Sequence, residues 1–182
     1  MIRFATVGDI PQMLAIYAPY VENTTYTFEY SVPTEEEFSQ RFLSYTAQFP
    51  WLVWEEAGQV LGYAYGSAPF QRAAYSWCSE VSVYLSPAAQ GRGIGQQLYT
   101  LLESILWKQG YRVIYALVTS ENTASLAFHQ KLGYNIRAVF PHCGLKFQKW
   151  LGVTWLEKQS NFVDFPSEKP ISWRFIVEND GK

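Results

Sequence analysis

The stretch from Glu80 to Gly110 constrains this chain more than any other. Val81, Val83 and Leu85 alternate with Ser82 and Tyr84, which is the two-residue period of a strand. Ser86-Pro87-Ala88-Ala89 interrupts that period, and Gln90-Gly91-Arg92-Gly93-Ile94-Gly95 is too rich in glycine for ordinary packing. Ile94, Leu98, Leu101, Leu102, Ile105 and Leu106 then recur at steps of three and four, one apolar helical face, and Gly110 supplies a stop. Glycine lets backbone approach a ligand closely. The first N–H groups of a helix lack partners and carry the positive end of its dipole. The segment therefore predicts a phosphate or pyrophosphate cradle with Arg92 as an added cation, the alternative being a turn that only joins strand to helix.

The glycine spacing excludes two common cradles. Gly95 is followed by Gln96-Gln97, so the phosphate lysine of a Walker A loop is missing. Gly91-x-Gly93-x-Gly95 is not the dinucleotide spacing, and no acidic residue stands at the usual distance. Hydrophobic residues make up 48 % of the 182 residues and charged residues 16 %, which suits one globular domain. A net charge of −2 with no basic run argues against nucleic acid as a partner. Cys78 and Cys143 lack metal spacing and read as free thiols. No apolar run is long enough for a membrane span, and Met1-Ile-Arg-Phe-Ala-Thr6 does not read as a leader, so a cytoplasmic protein is expected.

Ile2 to Ala5 reads as a short strand, and the helix behind Thr6-Val-Gly-Asp9 shows Ile10, Met13, Leu14, Tyr17 and Val21 on one face. Thr24 to Tyr30 is β-branched and aromatic. Thr34-Glu-Glu-Glu37 is a capping box for a helix with Phe38, Phe42, Tyr45 and Phe49 inward. Trp51–Trp54 and Val60–Ala68 read as a hairpin, Pro69–Arg72 as a loop and Tyr75–Leu85 as a long strand. Val113–Val118, apolar throughout, reads as a central strand. A helix over 123–132 ends at Gly133, and Tyr134–Val139 and Lys146–Leu156 read as closing strands. The order predicts an α/β fold: a mixed, mostly antiparallel twisted sheet flanked by helices on both faces. The domain is expected over residues 1–158. Residues 159–182 are expected to form a surface tail that packs back through Trp173 and Phe175.

Gln90-x-x-Gly93-x-Gly95 after a strand and before a helix resembles the acyl-CoA loop of the GNAT superfamily of N-acetyltransferases. Asn122-Thr-Ala-Ser125 with His129-Gln-Lys131-Leu132-Gly133-Tyr134 is similar to that superfamily's fourth-helix segment. One branch, the phosphinothricin and methionine sulfone or sulfoximine N-acetyltransferases, also shares Thr27-Phe28-Glu29, Gly62-Tyr63-Ala64-Tyr65, Tyr75, Glu80-x-Ser82-Val83-Tyr84, Gly144-Leu-Lys146-Phe147 and Trp150-Leu151. The branch usually carries Asp where this chain has Gly152, and the general-acid tyrosine of many GNAT enzymes is here His129.

The resemblance implies acetyl transfer from acetyl-CoA to the amine of a small amino-acid-like acceptor, without a metal. N-acetylation needs a neutral amine, so a base must take a proton, and Glu80 is the implied base. The alternative for Glu80 is a surface charge on a half-polar strand face. Backbone N–H groups at Val81 to Val83 would serve the oxyanion. Gln90, Gly91, Arg92, Gly93, Ile94 and Gly95 would hold the pyrophosphate, Val83, Tyr84 and Leu85 the pantetheine arm, and Asn122 and Ser125 further parts of CoA. Asn122 also reads as a helix cap, and His129 either as general acid or as a structural residue. Phe28, Glu29, Arg72 and Tyr75 are the implied acceptor residues, with Arg72 suited to a carboxylate. A homodimer is implied as well. Other acceptor classes (a protein N-terminus, a lysine, a polyamine) and a non-catalytic acyl-CoA-binding module remain as alternatives.

Overall fold

The computed structural model describes residues 1–161, 166 and 168–180. Strands β1 (Ile2–Phe4), β2 (Trp51–Glu56), β3 (Gln59–Ser67), β4 (Cys78–Leu85), β5 (Val113–Thr119), β6 (Asn135–Lys146) and β7 (Lys149–Gln159) form one sheet in the order β1-β2-β3-β4-β5-β7-β6. All neighbours are antiparallel except β4 and β5. Helices α1 (Ile10–Asn23) and α2 (Glu35–Thr46) cover one face through Ile10, Met13, Tyr17, Phe38 and Phe42, against Trp51, Val53 and Tyr63. Helix α3 (Ile94–Gln109) covers the other through Leu98, Leu102 and Leu106, against Leu52, Ala64, Val81 and Ile114. Helices α4 (Thr123–Lys131) and α5 (Trp173–Asp180) complete that side, Leu126 and Trp173 joining the same core.

The local signals act as read at most helix ends. Thr34 accepts from the Glu37 N–H while the Glu37 carboxylate accepts from the Thr34 N–H, which closes the capping box. Gly110 and Gly133 have φ of 102° and 91°, left-handed conformations that end α3 and α4.

Three boundaries differ from expectation. Strand β4 begins at Cys78, because Ala73–Tyr75 forms a single 3-10 turn. Strand β6 runs on to Lys146, so Lys146 ends β6 and does not begin β7. The hairpin turn is Phe147-Gln148, both left-handed at φ 50° and 59°, residue types that carry no turn signal. Trp173 is stacked on Phe4 at 4.4 Å, whereas Phe175 is exposed.

The sheet has a seam. Strand β4 pairs with β5 only at Cys78↔Val113, Ser79↔Ile114 and Glu80↔Tyr115. Beyond Glu80, β4 stays with β3 as far as Gly62↔Leu85. Strand β5 stays with β7 as far as Thr119↔Val153. Each strand is held by its outer neighbour, so a wedge opens between them.

Candidate active site

The wedge between Val81–Tyr84 and Ala116–Thr119 is floored by Tyr99, Asn122, Ser125 and His129. Leu85 directs its main chain across the gap rather than to β3: its carbonyl accepts from the Tyr20 hydroxyl at 2.7 Å. Side-chain and main-chain directions repeat every two strand residues, so the N–H and C=O of Val83 face the gap as well. That edge can bond an extended ligand as a missing strand would. Tyr84 turns its ring to the opposite face, among Tyr17, Tyr20 and Tyr63.

At the wide end of the wedge lies the glycine loop. Gly91 and Gly93 have φ of 71° and 74°, and a Cβ built on either meets nothing within 4 Å. Their backbone is therefore open to approach, and Gly93 caps α3 without any side chain over the first turn. The arrangement fits a pyrophosphate on the N–H groups of Ile94, Gly95 and Gln96. Ile94 itself is buried in the core, so only its main chain can serve. At Gly95 the Cα faces inward, since a Cβ there would touch Leu85 at 3.4 Å and Phe128 at 3.6 Å, so what it can offer a ligand is its main-chain N–H. Arg92 turns away onto Glu56 at 2.7 Å, an exposed pair that competes weakly with any ligand anion.

Asn122 caps α4, its Oδ1 accepting from the Ser125 N–H at 3.1 Å, which leaves its NH₂ free in the wedge. His129 is buried with both ring nitrogens engaged. Nδ1 lies 2.8 Å from the Ser125 carbonyl and Nε2 lies 3.0 Å from the Tyr99 hydroxyl. A carbonyl only accepts, so the Nδ1 proton belongs to that bond, and Nε2 accepts from Tyr99 when the ring is neutral. Burial lowers the His129 pKa, which favours that neutral form.

Glu80 stands where the wedge closes, on the face of the sheet covered by α1 and α2. It shares a cavity of about 400 Å³ with Thr27, Phe28, Glu29, Arg41, Tyr65 and Ser82, among others. Burial alone raises its pKa, and no hydrogen bond or ion pair holds its carboxylate among the described residues. Such a carboxylate, half-buried and open to a cavity, can accept a proton from a bound amine.

A profile of the acetyltransferase (GNAT) domain matches residues 2–155. The chain belongs to the GNAT acetyltransferase family. It is 34 % identical over 168 residues to a phosphinothricin N-acetyltransferase of Alcaligenes faecalis, covering 90 % of this chain and 84 % of the relative. It is 37 % identical over 161 residues to an L-methionine sulfoximine/L-methionine sulfone acetyltransferase of Pseudomonas aeruginosa, covering 86 % and 92 %. A solved phosphinothricin acetyltransferase from Sinorhizobium meliloti, in complex with acetyl-CoA, superposes with a TM-score of 0.85 at 32 % identity, over 93 % of this chain and 92 % of that one. The chain is thus an acyl-CoA-dependent N-acetyltransferase by family. Among the described residues no group of His, Cys, Asp or Glu is placed to hold a metal ion.

The implied acceptor residues of this GNAT domain fall into two places. Phe28 and Glu29 line the Glu80 cavity. Arg72 and Tyr75 do not: they line a second cavity at the amino-terminal end of β4, beside Cys78. Among the described residues the one guanidinium lining the Glu80 cavity belongs to Arg41, paired with Glu29 at 2.5 Å. Arg41 was legible in principle, because it falls on the apolar face of α2, at steps of three and four from Phe38 and Tyr45. Lys146 carried no such signal. It is 1 % exposed, and its Nζ donates to the carbonyls of Val21 at 2.7 Å and Thr27 at 2.8 Å. Beside it Gly144 lies under the Phe28 ring, where a Cβ would stand 2.2 Å from that ring. The separate segments Thr27-Phe28-Glu29 and Gly144-Leu-Lys146 therefore form one contact, which holds a wall of the Glu80 cavity.

Proposed function

We propose that this chain transfers the acetyl group of acetyl-CoA to the α-amine of a small amino-acid-like acceptor of the phosphinothricin or methionine sulfone and sulfoximine type, with Glu80 as general base. The single observation that carries the reading is Glu80 itself: a half-buried carboxylate at the apex of the wedge, without a partner among the described residues and with its pKa raised by burial. The wedge takes the pantetheine arm along Val83, and the glycine loop takes the pyrophosphate at the start of α3. The Asn122 NH₂ and the Ser125 hydroxyl reach the cofactor from α4. The Val83 N–H faces the place where negative charge develops on the thioester oxygen. The acceptor enters the cavity of Phe28 and Glu29 and presents its amine to Glu80. The relatives named for phosphinothricin and methionine sulfone support this acceptor class.

His129 is best read as a positioning residue. Its one proton is held by the Ser125 carbonyl and its lone pair by Tyr99, so the neutral ring offers no proton to a departing thiolate. Residues 1–158 carry the reaction. We also propose a homodimer built on the β6–β7 hairpin, where Val139, Phe140, Leu145, Phe147 and Trp150 are exposed, Trp150 at 61 %. Light scattering should report twice the chain mass; a monomer at all concentrations would remove that claim. A cytoplasmic setting agrees with the two free cysteines, and no helix among the described residues is long and apolar enough to cross a membrane.

The acceptor reading is tested by release of CoA thiol with a panel of amines. Phosphinothricin and methionine sulfone should turn over, and polyamines and peptide amines should not. A panel in which only peptides or polyamines react would overturn the acceptor class.

A further inference from the structure

Tyr20 stands between two spaces. On one side is the wedge, and on the other a cavity of about 460 Å³ beside α1. That cavity is walled mainly by apolar groups, among them Ala15, Ile16, Pro19, Val60 and Pro87. The Tyr20 hydroxyl reaches the open edge of β4, where it donates to the Leu85 carbonyl at 2.7 Å and accepts from the Leu85 N–H at 3.4 Å. One hydroxyl thus occupies both main-chain groups that an extended ligand would use at Leu85. The Leu85 N–H has a single proton to give, so a ligand that bonds there must displace Tyr20.

A second partner for the hydroxyl lies close by. Ser86, the next residue, lines the same cavity, and its Oγ is buried with no hydrogen-bond partner among the described residues. A buried hydroxyl left without a partner is costly, and a new donor or acceptor there would be favoured. Adjacent α-carbons are about 3.8 Å apart, so a short swing takes the hydroxyl from Leu85 to Ser86. The helix under Tyr20 suits such a swing. Pro19 stands inside α1 and has no N–H, so the Ala15 carbonyl lacks its helical donor and the last turn is tied by one bond fewer.

We propose that Tyr20 is a latch on the cofactor edge of β4. In the free enzyme its hydroxyl holds the N–H and carbonyl of Leu85; when the pantetheine arm pairs with β4, the hydroxyl passes to Ser86 Oγ. The proposal rests on the reading of the wedge as the acetyl-CoA site, and it adds a residue that sets cofactor affinity without taking part in the chemistry. The latch closes the end of an edge that would otherwise stay unpaired. Its return to Leu85 favours the release of CoA.

Calorimetry with acetyl-CoA on four proteins tests the latch: the unaltered chain, Ser86→Ala, Tyr20→Phe and the double variant. Ser86→Ala removes the receiving partner, so acetyl-CoA should bind about three- to tenfold more weakly, the worth of one hydrogen bond. Tyr20→Phe has no latch to open and should bind at least as tightly as the unaltered chain. In the double variant the loss should disappear, because no hydroxyl needs a new partner. Weaker binding in Tyr20→Phe, or no effect of Ser86→Ala, would overturn the proposal. So would an equal loss from Ser86→Ala with and without Tyr20→Phe, which would make Ser86 itself a cofactor contact. Hydrogen exchange of the Leu85 amide in the absence of cofactor separates the two readings. Tyr20→Phe should speed that exchange about tenfold, and the Ser86 amide, which donates to the Leu61 carbonyl, should keep its rate. If neither the unaltered chain nor Tyr20→Phe binds acetyl-CoA, the acetyl-CoA reading fails. Faster Leu85 exchange would then still support the hold of Tyr20 on the edge, and unchanged exchange would overturn it.

Discussion

Glu80 and Lys146 are both ionisable and both taken out of bulk water, Glu80 lining the cavity and Lys146 behind the Thr27 that lines it, yet they differ in one respect. Lys146 spends its charge on two main-chain carbonyls, those of Val21 and Thr27. Glu80 has no such partner among the described residues, and its carboxylate looks into open cavity. Burial shifts each toward its neutral form: up for Glu80, down for Lys146. A buried charge with its bonds satisfied is a strut, whereas one left unsatisfied costs stability and is available for chemistry.

Breaking that contrast should have unequal results. The largest effect is on rate. Glu80→Gln keeps the shape of the cavity and removes the base, so kcat at neutral pH should fall by about 10²–10⁴ with little change in CoA affinity. Its stability should move the other way. A carboxyl whose folded pKa is raised costs the fold free energy above its unfolded pKa, so at pH 7 the variant should melt at the same temperature or higher. Lys146→Met should do the opposite. It withdraws the donor from two carbonyls, at about 1–3 kcal/mol each, so urea denaturation should show a loss of about 2–6 kcal/mol. Catalysis should suffer mainly in acceptor KM, as Thr27 and Phe28 loosen. A loss of kcat in Lys146→Met as large as that of Glu80→Gln would erase the distinction.

The cofactor end gives the smallest of these effects. Gly93→Val strains a φ of 74° and puts branched carbon over the open start of α3, so acetyl-CoA should bind about tenfold or more weakly by calorimetry. Gly95→Ala is the control, since its Cβ would meet only ordinary contacts, and it should bind nearly as well as the unaltered protein. Equal weakening in both would mean that the loop acts through helix packing rather than ligand approach.

The strand, loop and helix from Glu80 to Gly110 were legible because local rules decide them: alternation, glycine, and helical spacing. The wedge was not, because it depends on β4 and β5 each following a different outer neighbour. The contact of Lys146 and Gly144 with residues 21–28 was hidden for the same reason; over a hundred residues separate its sides. The long β6 was missed because Phe147 and Gln148 take a left-handed turn that glycine or asparagine would have advertised. Arg72 and Tyr75 were grouped with Phe28 by resemblance, and the fold puts the two pairs in different cavities, one against Cys78 and the other against Glu80, Ser82 and Tyr84.

The central claim is that Glu80 takes the proton of the amine, and the pH dependence of kcat/KM for phosphinothricin tests it most directly. In the unaltered enzyme the profile should rise through a pKa above the usual carboxylate range and then level, since burial alone raises Glu80. In Glu80→Gln that limb should vanish, leaving a low rate that climbs with pH only as the free amine loses its proton. A profile in Glu80→Gln that keeps the same limb and the same plateau would contradict the account.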